Sequence, residues 1–110
     1  MKQALQNKKE QEAVRELKRV LEEQFRLVDM RLFGSKARSD ALSDSDIDIM
    51  IELEDCSPEI ESAVDDIIFK INLTYDCFIT AIIFSRDELE KGPLDASPLY
   101  RTILREGVRI

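Results

Sequence analysis

The sequence contains no histidine and is sparing with glycine, proline and cysteine, which number three, three and two in 110 residues. The missing histidine removes the side chain that titrates near neutral pH, the commonest zinc ligand and every Ser-His or Cys-His nucleophile pair. Any chemistry must therefore rest on carboxylates. The two cysteines, Cys56 and Cys77, lack CxxC spacing, and they read as reduced, partly buried thiols rather than as a disulfide or a metal site. No apolar run approaches the roughly 20 residues that a bilayer-spanning helix needs. The first twenty residues are too charged to hold the apolar segment of a signal peptide, so a cytoplasmic location is expected.

Sixteen Lys and Arg against 23 Asp and Glu give a net charge of −7. Such a surface repels a polyanion unless its cations gather on one face. Here they are scattered, apart from Lys36 and Arg38, so nucleic acid is not expected as the main partner. An apolar fraction of 44% and a charged fraction of 35% place the chain among soluble globular proteins. One domain spanning residues 1–110 is expected.

Hydrophobic periodicity predicts an amphipathic helix over 10–24, with Val14, Leu17, Val20 and Leu21 inward. A buried strand follows over 27–33, ended by Gly34. Ser35 is placed to cap one or two helical turns. A second strand over 46–53 alternates at its start, with Asp46, Asp48 and Met50 on one face and Ile47, Ile49 and Ile51 on the other. Ser57 and Pro58 open a second long helix whose apolar stripe is Val64, Ile67, Ile68 and Ile71. Residues 75–84 form the most strand-prone stretch and read as a covered central strand. Ser85 to Glu88 has the form of a capping box, introducing a short helix stopped by Gly92 and Pro93. A last helix starts at Ser97 and Pro98, with Leu99, Ile103 and Leu104 inward and Gly107 closing it, before a short edge strand over 108–110. The expected class is α/β (α+β): a small mixed sheet with helices packed against it.

The stretch over 32–52, LFGSKARSDALSDSDIDIMIE, concentrates the chemistry. Residues two apart in a strand lie about 6.6 Å apart and point the same way. Asp46 and Asp48 are thus placed to share divalent cations, and hard carboxylate oxygens suit Mg²⁺ or Mn²⁺. The Gly34 turn opens a short helix whose backbone N–H groups can cradle phosphate, with the Ser35 hydroxyl and the charges of Lys36 and Arg38 beside it. The two halves together suit a metal–triphosphate complex. The spacing of Asp44, Asp46 and Asp48 follows an EF-hand loop, but Ile49 stands where that loop needs glycine and the flanking pattern is strand-like. Neither GxxxxGK[ST] nor GxGxxG is present.

On these residues the chain resembles the minimal nucleotidyltransferases of the DNA polymerase beta superfamily, whose signature has the form GS-x-AR-G followed by SDIDL. The resemblance extends to the stretch TYDCFITAIIFS and the ending SPLYRTILREGV. It implies the nucleotidyltransferase fold. It also implies transfer of a nucleoside monophosphate, AMP from ATP, to a hydroxyl acceptor with the help of two Mg²⁺ or Mn²⁺ ions. Gly34, Ser35 and Arg38, with Lys36 beside them, would bind the nucleotide. Asp46 and Asp48 would hold the metals, and Asp76 would be the third carboxylate, touching a metal and serving as general base. Ser39 departs from the family's glycine after the arginine. Small members of the family commonly pair with a helical HEPN-type protein in toxin–antitoxin modules, so such a partner is expected. The rival reading is a non-catalytic antitoxin that acts through contact alone. An antibiotic-modifying enzyme fits less well, because those usually carry an added drug-binding domain.

Overall fold

The computed structural model describes residues 5, 7–37, 46–91 and 97–110. Its elements in chain order are α1 (Lys8–Gln24), β1 (Leu27–Phe33), α2 (Gly34–Ala37), β2 (Ile47–Leu53), α3 (Pro58–Tyr75), β3 (Ile79–Ser85), α4 (Arg86–Lys91), α5 (Pro98–Glu106) and β4 (Val108–Arg109). The strands form one mixed sheet in the order β3-β2-β1-β4. β1 runs antiparallel to both β2 and β4, whereas β2 and β3, joined through α3, run parallel.

Local chemistry explains the boundaries. The Asn7 side chain accepts from the N–H groups of Lys9 and Glu10, so α1 begins two residues earlier than periodicity alone predicts. Ser57 caps α3 by accepting from Ile60 N–H, with Pro58 at the first helical position as expected. Ser85 accepts from Glu88 N–H at the start of α4. The predicted Gly92–Pro93 stop lies outside the described residues.

The two sheet faces are built differently. On one, Ile47, Ile49, Ile51 and Leu53 of β2 and Met30 and Leu32 of β1 pack against Val14, Leu17 and Leu21 of α1 and Val64, Ile68 and Ile71 of α3. On the other, register places side chains in three rows across β1, β2 and β3: Phe33, Asp48 and Thr80; Arg31, Met50 and Ile82; Asp29, Glu52 and Phe84. α5 serves this second face. Its inward residues are Tyr100 and Ile103; Leu99 and Leu104, expected inward, are exposed. A helix with only nine residues presents a narrow stripe, and the stripe is set by Tyr100 reaching Glu52.

β3 is an edge strand among the described residues, not the central strand expected. Its apolar character on both faces reports helices above and below, and says nothing of lateral neighbours. Phe84 packs edge-on against Tyr100 with ring centroids 5.1 Å apart, which accounts for one of those faces.

The far row of the second face buries two acids opposite each other, Asp29 and Glu52. Asp29 accepts from Arg31 at 2.7 Å and from Arg109 at 3.2 Å. Glu52 accepts from Tyr100 Oη at 2.7 Å and from Arg86 at 3.3 Å. Burial first, and then the bond to Glu52, push the Tyr100 hydroxyl up to about 12. The folded state therefore holds this proton more tightly than the unfolded chain, and the contribution is fully present below pH 10. Tyr100→Phe is expected to lose about 1.5–3 kcal/mol at neutral pH, the usual worth of a hydrogen bond to a charged group. Measured by urea denaturation, the gap between wild type and Tyr100→Phe should close as pH rises from 10 to 12. A constant gap across that window would dismiss the Tyr100–Glu52 bond as its source.

Candidate active site

The site forms where β1 ends and β2 begins. Phe33 lies opposite Asp48 in the antiparallel register, so the turn that leaves β1 must pass directly over that carboxylate. Gly34 makes the turn with φ of 74°. A Cβ there would fall inside van der Waals contact of Asp48 Oδ2. Glycine is thus required twice, for its left-handed backbone and for its bare Cα. α2 starts at Gly34 itself, so Ser35 lies within the helix rather than capping it.

Asp46 is exposed and Asp48 half-buried. Asp46 is tied to the start of β3 through the next residue, since Ile47 N–H donates to Phe78 C=O at 2.8 Å. Asp48 Oδ1 accepts from Thr80 Oγ1 at 2.9 Å. Asp48 is consequently confined between the Gly34 backbone on one side and Thr80 on the other, on a strand whose opposite face is fully buried isoleucine.

Two expected site residues are placed elsewhere. Asp76 is the residue that caps the C-terminus of α3, just past Tyr75, in the left-handed region at φ 54°. Its side chain is 94% exposed and lies 3.7 Å from Lys9 of α1. The physical reason is the turn between α3 and β3. Asn72 accepts from Ile79 N–H at 2.8 Å and donates to Ile79 C=O at 3.1 Å, which fixes where the strand begins. The chain must reverse in the few residues before it, and aspartate tolerates the left-handed conformation that this reversal needs. β3 therefore begins three residues after Asp76, and the β3 position beside Asp48 is Thr80. Among the described residues no three acidic, cysteine or histidine side chains are grouped to hold a metal ion, so the expected trio of Asp46, Asp48 and Asp76 is not assembled.

Lys36 is the second displacement. It is buried, and its Nζ donates to both carboxylate oxygens of Glu10 at 3.0 and 3.1 Å. This pair bolts α2, and with it the Gly34 turn, to α1. Glu10 was illegible as a site residue because its helical position looks like any other first-turn acid. Arg38 and Ser39, and the Ser35 side chain, lie outside the described residues, as does Asp44. Cys56 and Cys77 are free thiols whose pKa values are pushed up, chiefly by burial, which keeps them protonated and poor nucleophiles.

A cavity of about 140 Å³ opens beside Gly34, walled by Phe33, Leu99 and Ile103 with Thr102 and Glu106 as polar members.

Two substitutions check this geometry. Gly34→Ala is expected to cost about 1–2 kcal/mol from the left-handed backbone, plus a steric part read by urea denaturation. That second part should disappear in an Asp48→Ala background; an unchanged cost there would show that Asp48 is not the obstacle. Lys36→Met leaves Glu10 buried and uncompensated, and is expected to cost about 3–5 kcal/mol. Adding Glu10→Leu, measured by the same urea denaturation, should recover part of that loss. No recovery would show that the unpaired Glu10 carboxylate is not the source of the loss.

Comparison with known proteins agrees with this geometry. The family described as a nucleotidyltransferase domain matches residues 14–108. A solved structure provisionally described as a minimal nucleotidyltransferase superposes with a TM-score of 0.60 at 19% identity, covering 96% of this chain and 98% of its own. At that identity the likeness speaks for the fold alone. No curated protein matches the chain. With the family match spanning nearly the whole sequence, and the Gly34 turn set against an aspartate strand, the chain belongs to the nucleotidyltransferase-domain family.

Proposed function

We propose that the protein transfers a nucleoside monophosphate, AMP from ATP, to a hydroxyl acceptor in a reaction that depends on Mg²⁺ or Mn²⁺. The observation that carries this reading is the clamping of Asp48 against the Gly34 turn, with the exposed Asp46 one residue ahead of β2, which begins at Ile47 rather than at Asp46 as expected. Family membership supports nucleotidyl transfer in general; the nucleotide, the cation and the acceptor are the finer parts of the proposal.

The residues present fit a hard cation. Asp46 and Asp48, two residues apart at the start of β2, offer carboxylate oxygens, and Asp46 is exposed. When bound, the cation supplies charge that neutralises the phosphates and the developing oxyanions. The chain's own part is placement. The Gly34 turn brings backbone N–H groups to the β- and γ-phosphates, because no side chain intervenes there. Arg38, the signature arginine, grips the same phosphates with its planar fork. The acceptor hydroxyl attacks the α-phosphorus. A new O–P bond forms, the bond to the β-phosphate oxygen breaks, pyrophosphate leaves, and the acceptor proton passes to water at the exposed mouth. Asp76 takes no part in the step.

We place the acceptor on a helical protein of the HEPN type, in keeping with the resemblance. Supporting this is apolar surface of a kind monomeric proteins usually bury: Phe69 and Leu73, four residues apart on α3, are 61% and 69% exposed, and Phe78 is 69% exposed. No helix among the described residues is long and apolar enough to cross a membrane, so a membrane does not account for that surface as a helical span.

Incubation with α-labelled ATP, Mg²⁺ and a co-expressed helical partner tests the proposal. Label should transfer to the partner, persist with Asp76→Asn, and fall at least a hundredfold with Asp46→Asn/Asp48→Asn. Transfer that survives the double substitution would sink the catalytic assignment. Tight partner binding with no transfer and no nucleotide binding at millimolar ATP would favour the contact-only reading.

A further inference from the structure

The transfer chemistry leaves one polar contact in the site without a purpose. Thr80 lies beside Asp48 in the parallel register, and its Oγ1 donates a 2.9 Å hydrogen bond to Asp48 Oδ1. We infer that Thr80 is the positioning residue of the cation site, holding the Asp48 carboxylate in the orientation that receives the metal. The inference rests on the reading of Asp46 and Asp48 as cation ligands.

Three observations carry it. First, an aspartate carboxylate rotates over a broad, two-fold well about its last torsion, so strand placement alone does not aim its oxygens. Here both oxygens are constrained by neighbours: Oδ2 meets the Gly34 backbone, and Oδ1 meets Thr80. Second, threonine is branched at Cβ and stiff about χ1. On a strand hydrogen-bonded to β2 it therefore delivers its hydroxyl in a fixed direction. An accepted hydrogen bond also leaves Oδ1 with lone-pair capacity for a metal. Third, Thr80 is the β3 side chain closest in register to the aspartate, at the place where a third carboxylate would otherwise complete a trio; Asp76 does not fill it. A neutral donor there does the opposite of an acid. It donates a hydrogen bond to the Asp48 carboxylate, where a second carboxylate would face it with like charge.

Partners that orient metal-binding carboxylates typically matter by ten- to a hundredfold in metal affinity. Mn²⁺ binding in the presence of a non-hydrolysable ATP analogue, followed by electron paramagnetic resonance, reads this without turnover. Thr80→Val keeps the branched shape and strand preference while removing the donor, and is expected to weaken Mn²⁺ binding at least about tenfold. Thr80→Ser should restore affinity to within about twofold of wild type, since the hydroxyl is kept. Thr80→Asp should raise the number of Mn²⁺ ions bound, because it adds a carboxylate against Asp48. Urea midpoints of all three variants establish that each is folded. Should Thr80→Val bind Mn²⁺ as wild type does while Asp48→Asn has lost it, the inference fails and the proposed function stands. Mn²⁺ binding that is unaffected by Asp48→Asn would overturn both.

Discussion

The passage of the Gly34 backbone over the Asp48 carboxylate is the constraint on which the rest of the site depends. It follows from register: Phe33 is opposite Asp48, so the chain has no other place to turn. A left-handed residue without a Cβ is the economical answer. What makes the contact durable lies on the far side of the same strand, where Ile47, Ile49 and Ile51 have no measurable exposure. Sliding β2 by one residue would turn all three outward and bury the aspartates, so the hydrophobic core sets the position of the carboxylates to within one residue. Stability and function are thus coupled through the two faces of a single strand.

Charge is used the same way on the second face. The chain carries seven more acids than bases, yet several of its bases are committed inward or sideways: Arg31 and Arg109 to Asp29, Arg86 to Glu52, Lys36 to Glu10. Partnered burial of this kind gives little net stability, since desolvation offsets most of the attraction. Its effect is geometric. Tyr100 on Glu52 sets the rotation of α5, Arg109 on Asp29 ties the last strand back to the sheet, and Lys36 on Glu10 fixes the turn that carries Gly34. A scatter of cations that argued only against nucleic acid turns out to hold the loops and helices around the site.

What could be read from the sequence follows the range of the forces involved. β1 is recovered over its full length, and α3 starts where Ser57 and Pro58 announce it, because strand patterning and capping act over a few residues. The closeness of Gly34 to Asp48 is legible for the same reason, being packed into fifteen residues. Two of the departures are long-range. Lys36 looked like a phosphate ligand because Glu10, 26 residues away, is invisible to local reasoning. Leu99 and Leu104 matched an inward stripe that Tyr100 reassigns by reaching Glu52 across 48 positions. The start of β3 is a local departure: residues 75–78 match the strand pattern, but Asn72, four residues before Asp76, holds Ile79 and decides where the strand begins.

The neutral Thr80 beside Asp48 in register bears on what kind of acceptor the proposed site suits. A positioned general base typically contributes 10²–10⁴-fold to a rate. A site that forgoes it must recover the difference elsewhere, and holding the acceptor in line offers far more, since effective molarities reach about 10⁵–10⁸ M. Free small molecules in dilute solution gain that advantage only through a dedicated pocket. A docked protein gains it through its own interface, spending binding energy at a distance to fix one hydroxyl at the mouth. On the proposed reading, the exposed apolar residues of α3 and the absence, among the described residues, of a third acid grouped with Asp46 and Asp48 are therefore two aspects of one arrangement. The partner's surface would do the positioning that a base would otherwise assist, and Thr80 would serve to keep Asp48 aimed while it does so.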